Sequence, residues 1–294
     1  MTTKKIVQFL HPGGEHKPDR LRLKDWNYGK HKRKFMTATG SWTRNANLQP
    51  LEGRLTFWGE WEPQSDVEPL DQKSQAGQPR WIHAPRLSLE PIDDLRKQGC
   101  SPCAPRGPQN TDPLVFGDRF LYALCQQFEK RNNVLNATQM ARLNEGDIIL
   151  FGSCVNKRFE LDTVFVVGIH APVRPNGRLP NWESDLHRKI TMDLIDIPPC
   201  GLRLYGGATW SSDAPFSFVP CCPIEGTPRG FRRPVIEPSG PLSGAITPSK
   251  KQGRKITLNN APAIWHAVVR QVLDQGCVLG TAVDEPPDAS SLTR

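Results

Sequence analysis

Gly146-Asp147-Ile148-Ile149-Leu150-Phe151-Gly152-Ser153, followed by Leu161-Asp162-Thr163-Val164-Phe165-Val166-Val167-Gly168, is the stretch on which the fold turns. Each half is an apolar run rich in β-branched and aromatic residues and bounded by glycine, which reads as a buried strand. Gly146 permits a tight turn, and Asp147 can hydrogen-bond the turn backbone. Toward the N-terminus, Lys5–Leu10 reads as a first strand closed by His11-Pro12-Gly13-Gly14. Phe35–Trp42 and Arg54–Trp61 read as further strands, the latter placing Trp58 and Glu60 on one face and Trp61 on the other. Toward the C-terminus, Leu202–Trp210 and Phe216–Pro220 are strand-like and separated by Ser211-Ser212-Asp213.

Three segments read as helices. Phe116, Phe120, Leu121, Leu124 and Phe128 recur at helical spacing and predict a helix over Phe116–Lys130. A short helix is expected over Ala137–Leu143. The last, Ala261–Gln275, has Asn259 or Asn260 to cap it, Pro262 in its first turn and Gly276 after its end. Ile264, Trp265, Val268, Val269, Val272 and Leu273 form its single apolar stripe.

The chain has 294 residues, including 28 prolines and 24 glycines. That excludes coiled coils and long helix bundles. The longest apolar stretches, Ile148–Phe151 and Val164–Val167, fall far short of the ~20 residues a membrane span needs. The opening Met-Thr-Thr-Lys-Lys is not a signal peptide. The expectation is a soluble cytoplasmic protein with no membrane partner, its oligomeric state open. One domain is expected over residues 1–283, with a proline-rich insertion at about 62–113 carrying one short strand at Trp81–His83, and a disordered tail at 284–294.

The formal net charge is +8, and the first 60 residues hold 12 basic against 5 acidic side chains. The densest run, Lys30-His31-Lys32-Arg33-Lys34, lies beside Trp26, Tyr28 and Trp42. Cations with neighbouring rings suit a polyanion whose bases stack, although a basic run is equally a solvated face. Eight cysteines without a secretion signal argue for reduced thiols. Cys100-Ser-Pro-Cys103 has metal-like spacing, but the only other pair, Cys221-Cys222, is adjacent and has no spaced histidines beside it. No cofactor and no metal site is assigned.

The pair of segments at 146–153 and 161–168 resembles the PUA-like superfamily, in which EVE and ASCH domains carry a Gly-Asp turn, a buried strand ending in a small polar residue, and a second strand running toward Val-Val-Gly. The resemblance covers residues 146–168. It implies an α+β fold, a small, partly open mixed β-barrel with flanking helices and, here, long loop insertions. It implies binding of RNA, DNA or a single, often modified, base. Ser153 is the one residue it carries over, by its place at the end of the first matched strand.

The leading expectation is therefore a nucleic-acid or nucleotide binder that reads a base in an aromatic-lined pocket. Trp58 would stack the base and Glu60 accept from its edge, as in pockets for extruded bases. Ser153, Arg119, Gln126 and Trp42 complete the base-binding set, and Lys32, Arg33, Lys34, Arg232 and Arg233 are the phosphate candidates. The alternative is a metal-dependent nuclease or nucleotide hydrolase using His11, His16, Glu60 and Glu62, with Glu15 beside the two histidines in the loop after the first strand. A second alternative is an interaction scaffold built on the 62–113 segment. The sequence contains no Gly-x-Ser-x-Gly, His-Glu-x-x-His or Gly-x-Gly-x-x-Gly motif, which argues against hydrolases, proteases and dinucleotide enzymes of those types.

Overall fold

The computed structural model describes residues 3–18, the backbone of 24–25, and residues 32–70, 77–87, 111–247 and 253–287. Trp26, Tyr28, Lys30, His31, Cys100, Cys103 and the tail beyond 287 lie outside the described residues.

The quoted stretch forms the centre of a six-stranded sheet. Strand β10 (Ile148–Val155) and strand β11 (Arg158–Val173) pair antiparallel. Their turn uses Asn156 and Lys157, both at positive φ (49° and 61°), which matches a right-handed strand twist. A register shift between Phe151 and Gly152 marks a bulge, and a side chain at Gly152 would run into the Glu160 carbonyl oxygen. Strand β1 (Lys4–Leu10) lies parallel to β10, with Ile6 opposite Ile148. Its run Ile6–Leu10 is wholly buried, as a strand paired on both edges and covered on both faces requires. Outside it lies β14 (Gly253–Asn259). On the far side follow β12 (Leu202–Gly207) and the two-residue β7 (Leu121–Tyr122), giving the order β14-β1-β10-β11-β12-β7.

The second sheet contains a small closed barrel. Strand β3 (Lys34–Thr43) pairs with β4 (Leu51–Gly59), β4 with β13 (Val219–Pro223), β13 with β15 (Val278–Val283), and β15 returns to β3. Closure removes the exposed edges of these four strands. A bridge between Val164 and Phe218 joins the barrel to the first sheet. The chain is mostly sheet with few helices, and the two sheets share one core, in which Val7, Phe9 and Phe151 meet Met36, Phe57 and Val219.

The described residues of the 62–113 segment carry two strands, against an expectation of one. Strand β5 (Ser65–Pro69) pairs with β6 (Trp81–Pro85), and β6 meets β3 at Met36 and His83; β2 (Lys24–Asp25) adds outside β5. Residues 284–287, expected to be disordered, are tied down. The Asp284 N–H donates to the Thr39 carbonyl, and the Leu87 N–H to the Pro287 carbonyl.

Phe116–Lys130 is not a helix. It contains β7 and the start of the hairpin strand β8 (Phe128–Arg131), which pairs with β9 (Val134–Ala137). Gly117 and Gln126 sit at positive φ (96° and 58°). The buried Asp112 carboxylate accepts the backbone N–H groups of Ala123, Leu124 and Cys125, the donors a helix would have paired internally. The expected helix over Ala137–Leu143 is a single 3-10 turn, Gln139–Arg142, capped by Thr138. Among the described residues two α-helices are present: α1 (Asp185–Ile190) and α2 (Ala261–Asp274). Helix α2 follows the expected chemistry: the Asn260 side chain accepts from the Ala263 N–H, Pro262 sits in the first turn, and Gly276 follows the end at φ 81°.

Candidate functional site

Five of the residues singled out in the sequence, His11, Arg33, Glu60, Ser153 and Arg233, converge where the C-terminal end of β1, the start of β3, the end of β4 and the β10–β11 hairpin meet. Arg33 is 1% exposed. Its Nε donates to Asp162 Oδ2 at 2.9 Å, its Nη1 to Glu60 Oε2 at 2.6 Å, and its Nη2 faces His11 Nδ1. His11 Nδ1 also lies 3.3 Å from Glu60 Oε2, so the ring joins the same buried cluster. Arg233 donates from Nη1 to Asp162 Oδ1 (3.2 Å) and Ser153 Oγ (3.1 Å), and from Nη2 to the Gly13 carbonyl (2.9 Å). Its Nη2 also pairs with Glu160 Oε2 at 2.5 Å.

Asp162 thus bridges two arginines. Burial works to lower the Arg33 pKa, but Glu60 and Asp162 override it, so the guanidinium is held charged. Burial raises the Glu160 carboxyl against the pull of Arg233. Two guanidinium groups meet three carboxylates here, so their positive charge is more than matched and the cluster offers no net attraction to phosphate.

A second polar group lies alongside. Lys34 is fully buried, and its Nζ donates to the Pro63 carbonyl (3.0 Å) and Ser65 Oγ (3.1 Å). Ser65 Oγ lies 3.1 Å from His83 Nδ1, and the His16 ring is 5.5 Å from the His83 ring. Burial first, then Lys34 and His16, push the His83 pKa well below the ordinary histidine value. The unfolded chain therefore takes up a proton near pH 6.5 that the folded chain refuses. This contribution is fully present above about pH 6.5 and is lost as pH falls below it. Burial raises Glu15, Asp112 and Glu160, which act with the opposite sign, so the His83 share is read as a difference between proteins. Urea midpoints at pH 7.5 and pH 5.5 are expected to drop less for His83→Gln than for the wild-type chain. An equal drop in both would remove this assignment.

The remaining candidates are dispersed. Trp58 is 5% exposed, its ring against Phe35, its Nε1–H donating to the Phe231 carbonyl at 2.8 Å, and Arg233 lying 5.4 Å above its centroid. It presents no free face for a base in this structure. Trp42 is buried in the shared core against Gly53. Arg119 donates to the Gly207 carbonyl and lines a cleft of about 580 Å³ beside Asp118 and Trp182. Gln126 accepts from Arg254. Lys32 is half-buried beside Gly14, and Arg232 is exposed beside Gly77. Glu15 accepts the Arg80 and Trp81 N–H groups, and the Glu62 N–H donates to Thr111 Oγ1. Among the described residues, no group of three or more His, Cys, Asp or Glu side chains could hold a metal ion. Cys221 and Cys222, adjacent on β13, belong to opposite faces: Cys221 is buried in the shared core, and Cys222 packs beside the cluster that contains α2.

What the sequence reading missed is a cleft of about 620 Å³ between β4, β13 and the 223–231 loop. Its walls include Arg44, Thr56, Cys222, Glu225, Arg229 and Phe231. Arg44 and Arg229 are exposed, and neither has an ion-pair partner among the described residues. Arg54, two residues from Thr56 on β4, is exposed on that same face. Phe231 is half-buried, its ring edge-on to Phe35 at 5.3 Å. The loop thus links the cleft wall at Phe231, through the Trp58 hydrogen bond, to Arg233 in the buried network. The basic-aromatic run Gly230-Phe231-Arg232-Arg233 was the available signal, but its partner Arg44 is about 185 residues away in the chain. No protein family, curated protein or solved structure matches this chain. Among the described residues, no helix is long and apolar enough to cross a membrane.

Proposed function

We propose that this chain binds a nucleotide or a single-stranded nucleic acid in the cleft beside β4 and β13. Arg44 and Arg229 would hold phosphate, and Phe231 would offer a ring to a base. The observation that carries the reading is the cleft itself: ligand-sized, with two arginines not paired to any described acid, and walled by an aromatic anchored from below. The buried network then has a structural part, because Arg233 and Trp58 set the position of the Phe231 wall. A PUA-like assignment belongs to the same proposal. It rests on residues 146–168, and the hairpin those residues form beside a small closed barrel is compatible with it.

Titration with ATP and with short DNA and RNA oligonucleotides, followed by intrinsic tryptophan fluorescence at several salt concentrations, tests this. Affinity for an oligonucleotide is expected to fall with salt, with a log–log slope near −0.7 per phosphate neutralised. Arg44→Glu and Arg229→Glu should each weaken binding about tenfold or more and flatten that slope by about one phosphate's worth. Binding that is equally tight in both variants would remove the cleft assignment.

A further inference from the structure

We propose that Cys222 and Cys277 are a reversible disulfide site, closing across β13 and β15 in the wall of the cleft. Strand register supplies the geometry. Val219 is paired with Gly280, Pro220 with Leu279 and Cys221 with Val278, so the next step along brings Cys222 opposite Cys277. Directly opposed residues of an antiparallel pair have Cα atoms about 4.5–5.5 Å apart, inside the roughly 4.4–6.8 Å that a disulfide spans. Both side chains belong to the face that packs with α2, and both thiols are free in the structure.

The nearness that this register gives the two thiols lowers the Cys222 pKa and raises that of Cys277. Access is unequal: Cys277 is buried, whereas Cys222 is half-buried and lines the 620 Å³ cleft. Cys222 is therefore the attacking thiol and Cys277 the resolving one. Cys221 takes no part, since burial raises its thiol well above the ordinary range and its Sγ faces the Val278 carbonyl on the other side of the strand.

The oxidant is a low-molecular-weight disulfide. The Cys222 thiolate attacks one of its sulfurs, forming a mixed disulfide and releasing one small thiolate, which takes up the proton that Cys222 lost. Cys277 then gives up its proton and attacks Cys222 Sγ. The protein disulfide forms, and the second small thiolate leaves with that proton. Two protein thiols are oxidised, and one small disulfide is reduced to two thiols. Because Cys222 is part of the cleft wall, closure makes ligand binding redox-dependent. That consequence rests on the nucleotide reading above, whereas the disulfide does not.

The full chain is equilibrated with oxidised glutathione, quenched in acid, denatured, alkylated and mapped by mass spectrometry. The expected result is joint loss of alkylation at Cys222 and Cys277, with one linked peptide pair lighter by two hydrogens and full reversal by dithiothreitol. Exposed Cys200 serves as the internal control and should carry a single glutathione. In Cys277→Ala, Cys222 should be trapped as the glutathione adduct. Should that variant fail to fold, the wild-type map alone decides. The proposal is overturned if Cys222 and Cys277 remain fully alkylated while Cys200 is modified, if either pairs with another cysteine, or if both are retained as ligands of a copurified zinc ion. ATP titration of the oxidised and reduced forms is read separately. A linked pair with no ATP binding in either form would count against the nucleotide reading and leave the disulfide standing.

Discussion

Arg33→Met is expected to lower the unfolding free energy by about 3–5 kcal/mol, because removing one partner of a buried ion pair strands its counter-charges. Arg33 is enclosed, and its guanidinium is the direct partner of both Glu60 and Asp162, which are themselves buried. Methionine approximates the aliphatic stem, so the cavity contribution is small and the loss reports stranded charge. Adding Glu60→Gln to Arg33→Met should recover most of the loss, since Asp162 keeps Arg233 as its partner and no unpaired carboxylate then remains to be desolvated. Urea unfolding followed by tryptophan fluorescence measures both steps. A single-variant loss under about 1 kcal/mol would place the network in the range of solvent-screened surface pairs and contradict its burial. Phe231 should also shift in the single variant, because Asp162 orients Arg233 and Arg233 lies over Trp58.

Trp265→Ala is expected to cost about 3–5 kcal/mol with the urea m-value unchanged. Trp265 is 2% exposed on the inward stripe of α2. Its ring lies edge-on to Phe216 at 4.9 Å and to Phe218 at 6.2 Å, and its Nε1–H donates to the Phe216 carbonyl at 2.8 Å. Truncation opens a cavity and leaves that carbonyl without its donor. Trp265→Phe keeps most of the ring volume and loses chiefly the hydrogen bond, so its cost should be nearer 1–2 kcal/mol. Equal losses in the two variants would mean that packing is not what the indole contributes. The consequence extends beyond the helix, since Phe218 is bridged to Val164 and ties the closed barrel to the first sheet.

Legibility in the sequence follows the range of the interactions involved. Strands β1, β10 and β11 were readable because their cores are continuous β-branched and aromatic runs flanked by turn residues, and every one of those signals is local. Helix α2 was readable because its stripe, cap and stop lie within about 17 consecutive residues. Phe116–Lys130 had the helical spacing too. Its apolar side chains were rightly destined for the core, but Asp112 and Gly117 sent the backbone another way. Side-chain periodicity records which residues are buried. It does not record which acceptor takes the backbone N–H groups.

The candidate sites divide along the same line. The residue types were in view: a basic-aromatic run at 230–233, carboxylates at 60 and 62, an adjacent cysteine pair at 221–222. Which charges cancel was decided only when β1, β3, β4 and the β10–β11 hairpin met, placing Arg33 against Glu60 and Asp162 while Arg44 and Arg229 stayed at the surface. The sequence by itself determined the strands flanking the Gly146 turn, the last helix and an excess of positive charge, because propensity, capping and net charge are properties of short segments. The tertiary structure alone decided which arginines are available to a ligand and that Cys222 meets Cys277. Strand register couples residues tens to hundreds of positions apart, and one step of register carries every side chain to the opposite face.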